Sequence, residues 1–105
     1  MTGTTTGQIH GFHHVGLTVP NIEAAVGFFV DGLDCELLFS TEPGSPVGPE
    51  YADALNIPVG SRNAGMALLR SAGAILELFE YEVEGQIRSL PRNCDYGGYH
   101  LAFHV

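Results

Sequence analysis

The chain has 105 residues, enough for one small domain with a modest core. Hydrophobic residues make up 45% and charged residues only 15%, so some apolar surface is left over for an interface. Twelve acids against four arginines give a formal net charge of −8, and with no basic cluster to neutralise phosphates the composition excludes nucleic acid and anionic membranes as partners.

Cys35 and Cys94 lack metal-type spacing, no signal-like segment opens the chain, and no apolar run approaches the roughly 20 residues of a bilayer crossing. A cytoplasmic protein with free thiols is expected. Residues 1–9, beginning MTGTTTGQ, read as a disordered Gly/Thr leader. Phe12 to Val19 reads as a strand, with Phe12, His14, Gly16 and Thr18 on one face and His13, Val15, Leu17 and Val19 on the other, oilier face. Pro20 closes it and Asn21 caps a helix whose Ile22, Ala25, Val26 and Phe29 recur at helical spacing until Gly32. Gly27 inside that helix is expected to mark a close approach to the sheet.

Cys35 to Ser40 is a second strand. Thr41 to Asn63 is rich in Gly, Pro and Ser, with one helical turn around Tyr51 to Leu55, and a loop of that length suits a lid or a binding segment. Strands Ala64 to Arg70 and Ala74 to Tyr81 follow, joined tightly through Ser71, Ala72 and Gly73. A polar loop containing Pro91 leads to a last predicted strand, Tyr99 to Val105, whose histidine-led apolar pattern echoes that of the first and suggests the start of a repeat.

Period-two geometry sets His14 beside the open space of Gly16, Glu77 beside Ile75, Phe79 and Tyr81, and His100 beside Ala102 and His104. Glu77 has no lysine in the chain and no arginine within four residues on its strand, so a buried charge there needs a cation or hydrogen bonds to offset desolvation. Phe12, Phe79, Tyr81 and His104 are candidates for a substrate pocket, with His104 also a supporting group or proton carrier. His13 reads as structural, and Arg62 and Arg92 as solvated surface residues. No catalytic acid, base or nucleophile can be singled out.

The stretches HVGLTVPNIEAAVGFF and GLDCELLF, then LELFEY, then YHLAFHV, resemble in order the motifs of the vicinal oxygen chelate superfamily: glyoxalase I, methylmalonyl-CoA epimerase, extradiol dioxygenases, and bleomycin and fosfomycin resistance proteins. The resemblance implies an α+β fold, a βαβββ module of the glyoxalase/bleomycin resistance type over residues 10–105 plus the first strand of a second, incomplete module. It implies a divalent metal ion (Zn, Ni, Mn, Fe or Co) held by His14, Glu77 and His100, with no counterpart of the family's fourth ligand. Three activities remain open: a lyase or isomerase that binds adjacent oxygens of a small substrate and stabilises an enolate-like intermediate; an Fe(II) extradiol dioxygenase; and a metal-free module that sequesters an antibiotic-type small molecule. A homodimer, with strands or modules exchanged, is expected from the apolar Leu101, Phe103 and Val105.

Overall fold

The computed structural model of the protein describes residues 7–105, so most of the expected leader, Met1–Thr6, lies outside the described residues. The elements are β1 (Val15–Thr18), α1 (Ile22–Gly27), β2 (Glu36–Thr41), α2 (Pro49–Leu55), β3 (Arg62–Ser71) and β4 (Ala74–Glu82). They build one four-stranded sheet in the order β1-β4-β3-β2. β2 with β3 and β3 with β4 pair antiparallel, whereas β1 lies at the edge parallel to β4, so the first and last strands lie side by side. This is the predicted α+β βαβββ module.

Local chemistry explains α1. Asn21 has extended backbone and its Oδ1 accepts from the Ala24 N–H at 2.9 Å, satisfying one orphan donor of the first turn. A second, the Ile22 N–H, donates to Glu80 Oε1 on β4 at 2.8 Å, so the sheet itself caps the helix. After Gly27 the helix widens into a π turn over Phe28–Gly32, and the Cys35 N–H closes on the Phe29 carbonyl at 2.9 Å.

The core is one-sided. Ala67, Leu69, Leu76 and Leu78 are buried beneath Ile22, Ala25, Val26 and Phe29, while the alternate residues of the same strands face away from the helix. Gly27 does not mark the close approach: a Cβ there would meet nothing within 4 Å, whereas one on Gly65 of β3 would lie 2.9 Å from Ile22 Cγ2. The missing side chain that seats the helix belongs to the strand below it. At the hairpin tip, Ser71 pairs with Ala74 around a two-residue turn in which Ala72 takes φ 50.

Two expectations need correction. β1 begins at Val15, so Phe12, His13 and His14 precede the strand. Tyr99–Val105 forms no strand among the described residues. A strand exists only through ladder bonds to a neighbour, and no described backbone pairs with this segment; it lies along the helical layer, with Phe103 packed 6.4 Å from Phe29 between ring centroids.

Candidate functional site

Parallel pairing of β1 with β4 brings residues far apart in the chain onto one surface. Gly16 pairs with Glu77 and Thr18 with Phe79; Leu68 and Met66 of β3 pair with Glu77 and Phe79 in turn, so these side chains share the face that carries no helix. On it His14 Nε2 lies 3.2 Å from Glu77 Oε1, the imidazole about one third exposed and the carboxylate 22% exposed. His13 Nδ1 stands 2.7 Å from His14 Nδ1. One assignment satisfies both contacts with neutral rings: His13 Nδ1–H donates to His14 Nδ1, and His14 Nε2–H donates to Glu77.

Beside this pair the rings of Phe79 and Tyr81 stack at 5.4 Å between centroids with an interplanar angle of 17°. A Cβ on Gly16 would be 3.6 Å from Phe79 Cε2, so the Phe79 ring leans over the glycine and keeps the surface between the strands low. Burial raises the Tyr81 phenol above its ordinary value, with the nearby Tyr51 phenol and the Glu77 carboxylate adding to the effect.

The other predicted site residues lie elsewhere. Phe12 and His104, together with His13, line a cavity of about 630 Å³ bounded by Val15, Leu76 and the β3–β4 turn. Val15 and Leu76 belong to the helix-side core, so Phe12 and His104 do not share the open face with His14; with no ladder through residues 12–14 or 99–105, strict alternation is not enforced there. His100 does not join His14 and Glu77: among the described residues no three His, Cys, Asp or Glu side chains gather where they could hold one metal ion. The imidazole and carboxylate suit a divalent cation chemically, and they supply two donors of the three the resemblance implies. Arg62 and Arg92 form ion pairs with Glu82 and Asp95 at the surface. Both cysteines are free thiols, Cys35 buried and Cys94 exposed.

Sequence reasoning missed three contributors. The His13–His14 contact was signalled only by the two adjacent histidines, and the cap from Glu80 only by an acid alternating into a helix-facing position. Tyr51 was visible as a lone aromatic on the helical turn of the Pro-rich segment.

A βαβββ sheet whose helix-free face carries an imidazole from just before its first strand and a carboxylate from its last defines a glyoxalase-type module. The family model of the Glyoxalase/Bleomycin resistance protein/Dioxygenase superfamily matches residues 11–105, and the chain belongs to that superfamily. It is also 39% identical, over its whole length, to a 2-epi-5-epi-valiolone epimerase of Actinomyces sp. The chain spans 57% of the length of that relative. No helix among the described residues is long and apolar enough to cross a membrane.

Proposed function

We propose that the chain serves an isomerase-type reaction, the metal-assisted epimerisation of a small polyhydroxylated ketone at a carbon next to the carbonyl. The single observation that carries this reading is the contact of His14 with Glu77 on the open face; the similarity to an epimerase supports the reaction type.

His14 Nε2 and Glu77 would hold the divalent ion, with the remaining coordination positions open to the substrate's adjacent oxygens. When bound, the ion supplies Lewis-acid charge that lowers the cost of carbanion formation beside the carbonyl. With Nε2 directed at the ion, the His14 proton would sit on Nδ1 and donate to His13 Nδ1, 2.7 Å away, with the His13 proton then on its Nε2, and this contact would fix the ring. Phe79 and Tyr81 would form the pocket wall, with the Phe79 ring seated over the bare Gly16. Epimerisation removes the C–H proton from one face of the carbon and returns a proton to the other, so solvent hydrogen enters the product. A homodimer is proposed as the working form, since Leu101 and Phe103 are 37% and 40% exposed.

The test combines metal analysis with exchange. Wild type is expected to carry stoichiometric divalent metal and to wash deuterium from D₂O into 2-epi-5-epi-valiolone next to its carbonyl, whereas His14→Ala and Glu77→Ala lose both. Metal-free wild type that still binds aromatic ligands would favour sequestration, the reading that a two-donor set also suits.

A further inference from the structure

We infer that the cleft which Arg88 and Ser89 form against the end of β1 is an oxyanion site, taking the carboxylate or phosphate group of a small molecule with a short apolar skeleton. The inference goes beyond the epimerase reading and needs no metal ion.

The first support is charge. Arg62 is paired with Glu82, Arg70 with Glu36 and Arg92 with Asp95, at 2.6, 2.6 and 2.9 Å. Among the described residues Arg88 has no such partner, although the chain carries twelve acids and a formal net charge of −8. It lines a cleft of about 320 Å³ between residues 18–20 and 86–90, and no acidic side chain lines that cleft. A protein this acidic repels anions over most of its surface, so an acid-free pocket around a guanidinium is a local exception.

The second support is the donor set. Thr18 and Ser89 each bring a hydroxyl to the cleft, Gln86 an amide and Arg88 its planar fork of N–H groups. Gln86 Nε2 gives one hydrogen to the Tyr81 carbonyl at 3.2 Å, which ties the side chain to β4 and leaves its second hydrogen free. A fork of donors with hydroxyls beside it matches the paired oxygens of a carboxylate or phosphate.

The third support is a fixed floor and an apolar rim. The Val19 N–H donates to the Phe79 carbonyl at 2.7 Å, carrying the β1–β4 ladder one residue past the strand. The Gln86 N–H closes on the Val83 carbonyl at 3.2 Å around Gly85, whose φ of 72 supplies the left-handed position of the turn. Ile87 and Leu90 are 85% and 88% exposed at the cleft, so their side chains are available to a ligand and unused by the core. An inorganic ion gains nothing from such a rim, whereas a short hydrocarbon skeleton behind the anion does. Because Thr18 pairs with Phe79, the cleft meets the open face at the end of β1 away from His14.

The experiment is calorimetric titration of purified wild type, Arg88→Gln, Ser89→Ala and Arg92→Gln at low ionic strength with three probes of equal skeleton: butyl phosphate, butyrate and 1-butanol. Wild type is expected to bind at least one of the two anions more tightly than 1-butanol, with added sodium chloride weakening the anion, and the tighter anion identifies the group the cleft takes. Arg88→Gln is expected to weaken that binding about 10–100-fold, the worth of a charge-assisted hydrogen bond, and Ser89→Ala about 3–10-fold. Arg92→Gln removes the same charge outside the cleft and should leave the affinity unchanged. Arg88 holds no acid, so its replacement should not move Tm, which separates loss of the site from loss of the fold. Wild type that binds neither anion, anions no tighter than 1-butanol, or an equal loss in Arg92→Gln would each overturn the inference.

Discussion

Replacing Gly65 with alanine tests how α1 is seated on the sheet. The new Cβ would lie 2.9 Å from Ile22 Cγ2, with Ile22 Cβ and Cγ1 at 3.5 and 3.7 Å. Ile22 is β-branched and stiff at χ1, so it cannot simply swing aside, and its N–H is tied to Glu80 at 2.8 Å. Relief therefore requires the first turn of α1 to lift. Overpacking of this kind costs about 1–3 kcal/mol, and the loss of glycine's extra unfolded-state freedom returns about 0.5–1 kcal/mol. The net expectation is a destabilisation of about 1–2 kcal/mol, or a fall in Tm of roughly 5–15 °C for a domain of this size. Urea and thermal unfolding of wild type, Gly65→Ala, Ile22→Ala and the double variant measure it. In the double variant the clash is gone, so its cost should fall below the sum of the two singles by about 1 kcal/mol. A Gly65→Ala protein as stable as wild type, or strictly additive singles, would refute the argument that this glycine exists to admit Ile22.

Two further outcomes follow from local geometry. Ala72→Gly should stabilise the protein by about 0.5–1 kcal/mol in denaturant unfolding, because the φ of 50 at the β3–β4 turn strains an L-residue but not glycine. The bidentate hydrogen bond from Arg62 to Glu82 holds that carboxyl below its ordinary value. Its stabilising contribution is thus present above the ordinary carboxylate pKa and lost as pH falls through the lowered one, and NMR titration of Glu82 should show the midpoint rising in Arg62→Met.

Much of the fold could be read from the residues because its signals are local. The Asn21 cap, the Ile22–Ala25–Val26–Phe29 spacing and the alternation through Ala74–Tyr81 each depend on near neighbours, and α1, β3 and β4 formed where they pointed. What failed depends on distant partners. Tyr99–Val105 has strand-like residues but no described edge bonded to it, and alternation cannot create a ladder. Gly27 and Gly65 look equivalent as letters; only the height of α1 above β3 tells which one needs to lack a side chain. At the site, His14 and Glu77 were legible because both sit next to or within paired strands, whereas the placement of His100, Phe12 and His104 hangs on segments without regular pairing. Tyr51 reaches its neighbours through a long loop, and no periodicity encodes where such a loop returns.

The insertion of β1 alongside β4 has a consequence for how the site is assembled. β3 and β4 zip up from a two-residue turn and β2 reaches β3 across the segment that carries α2, but β1 can join only by crossing the whole intervening chain. Its stake in the sheet is four residues, Val15–Thr18, on a single flank. The imidazole of His14 is therefore tied to the sheet through its shortest strand, bonded on one side only. A ligand gripping both His14 and Glu77 would act as a clasp on that strand, and amide exchange along Val15–Thr18 would slow as the clasp closes.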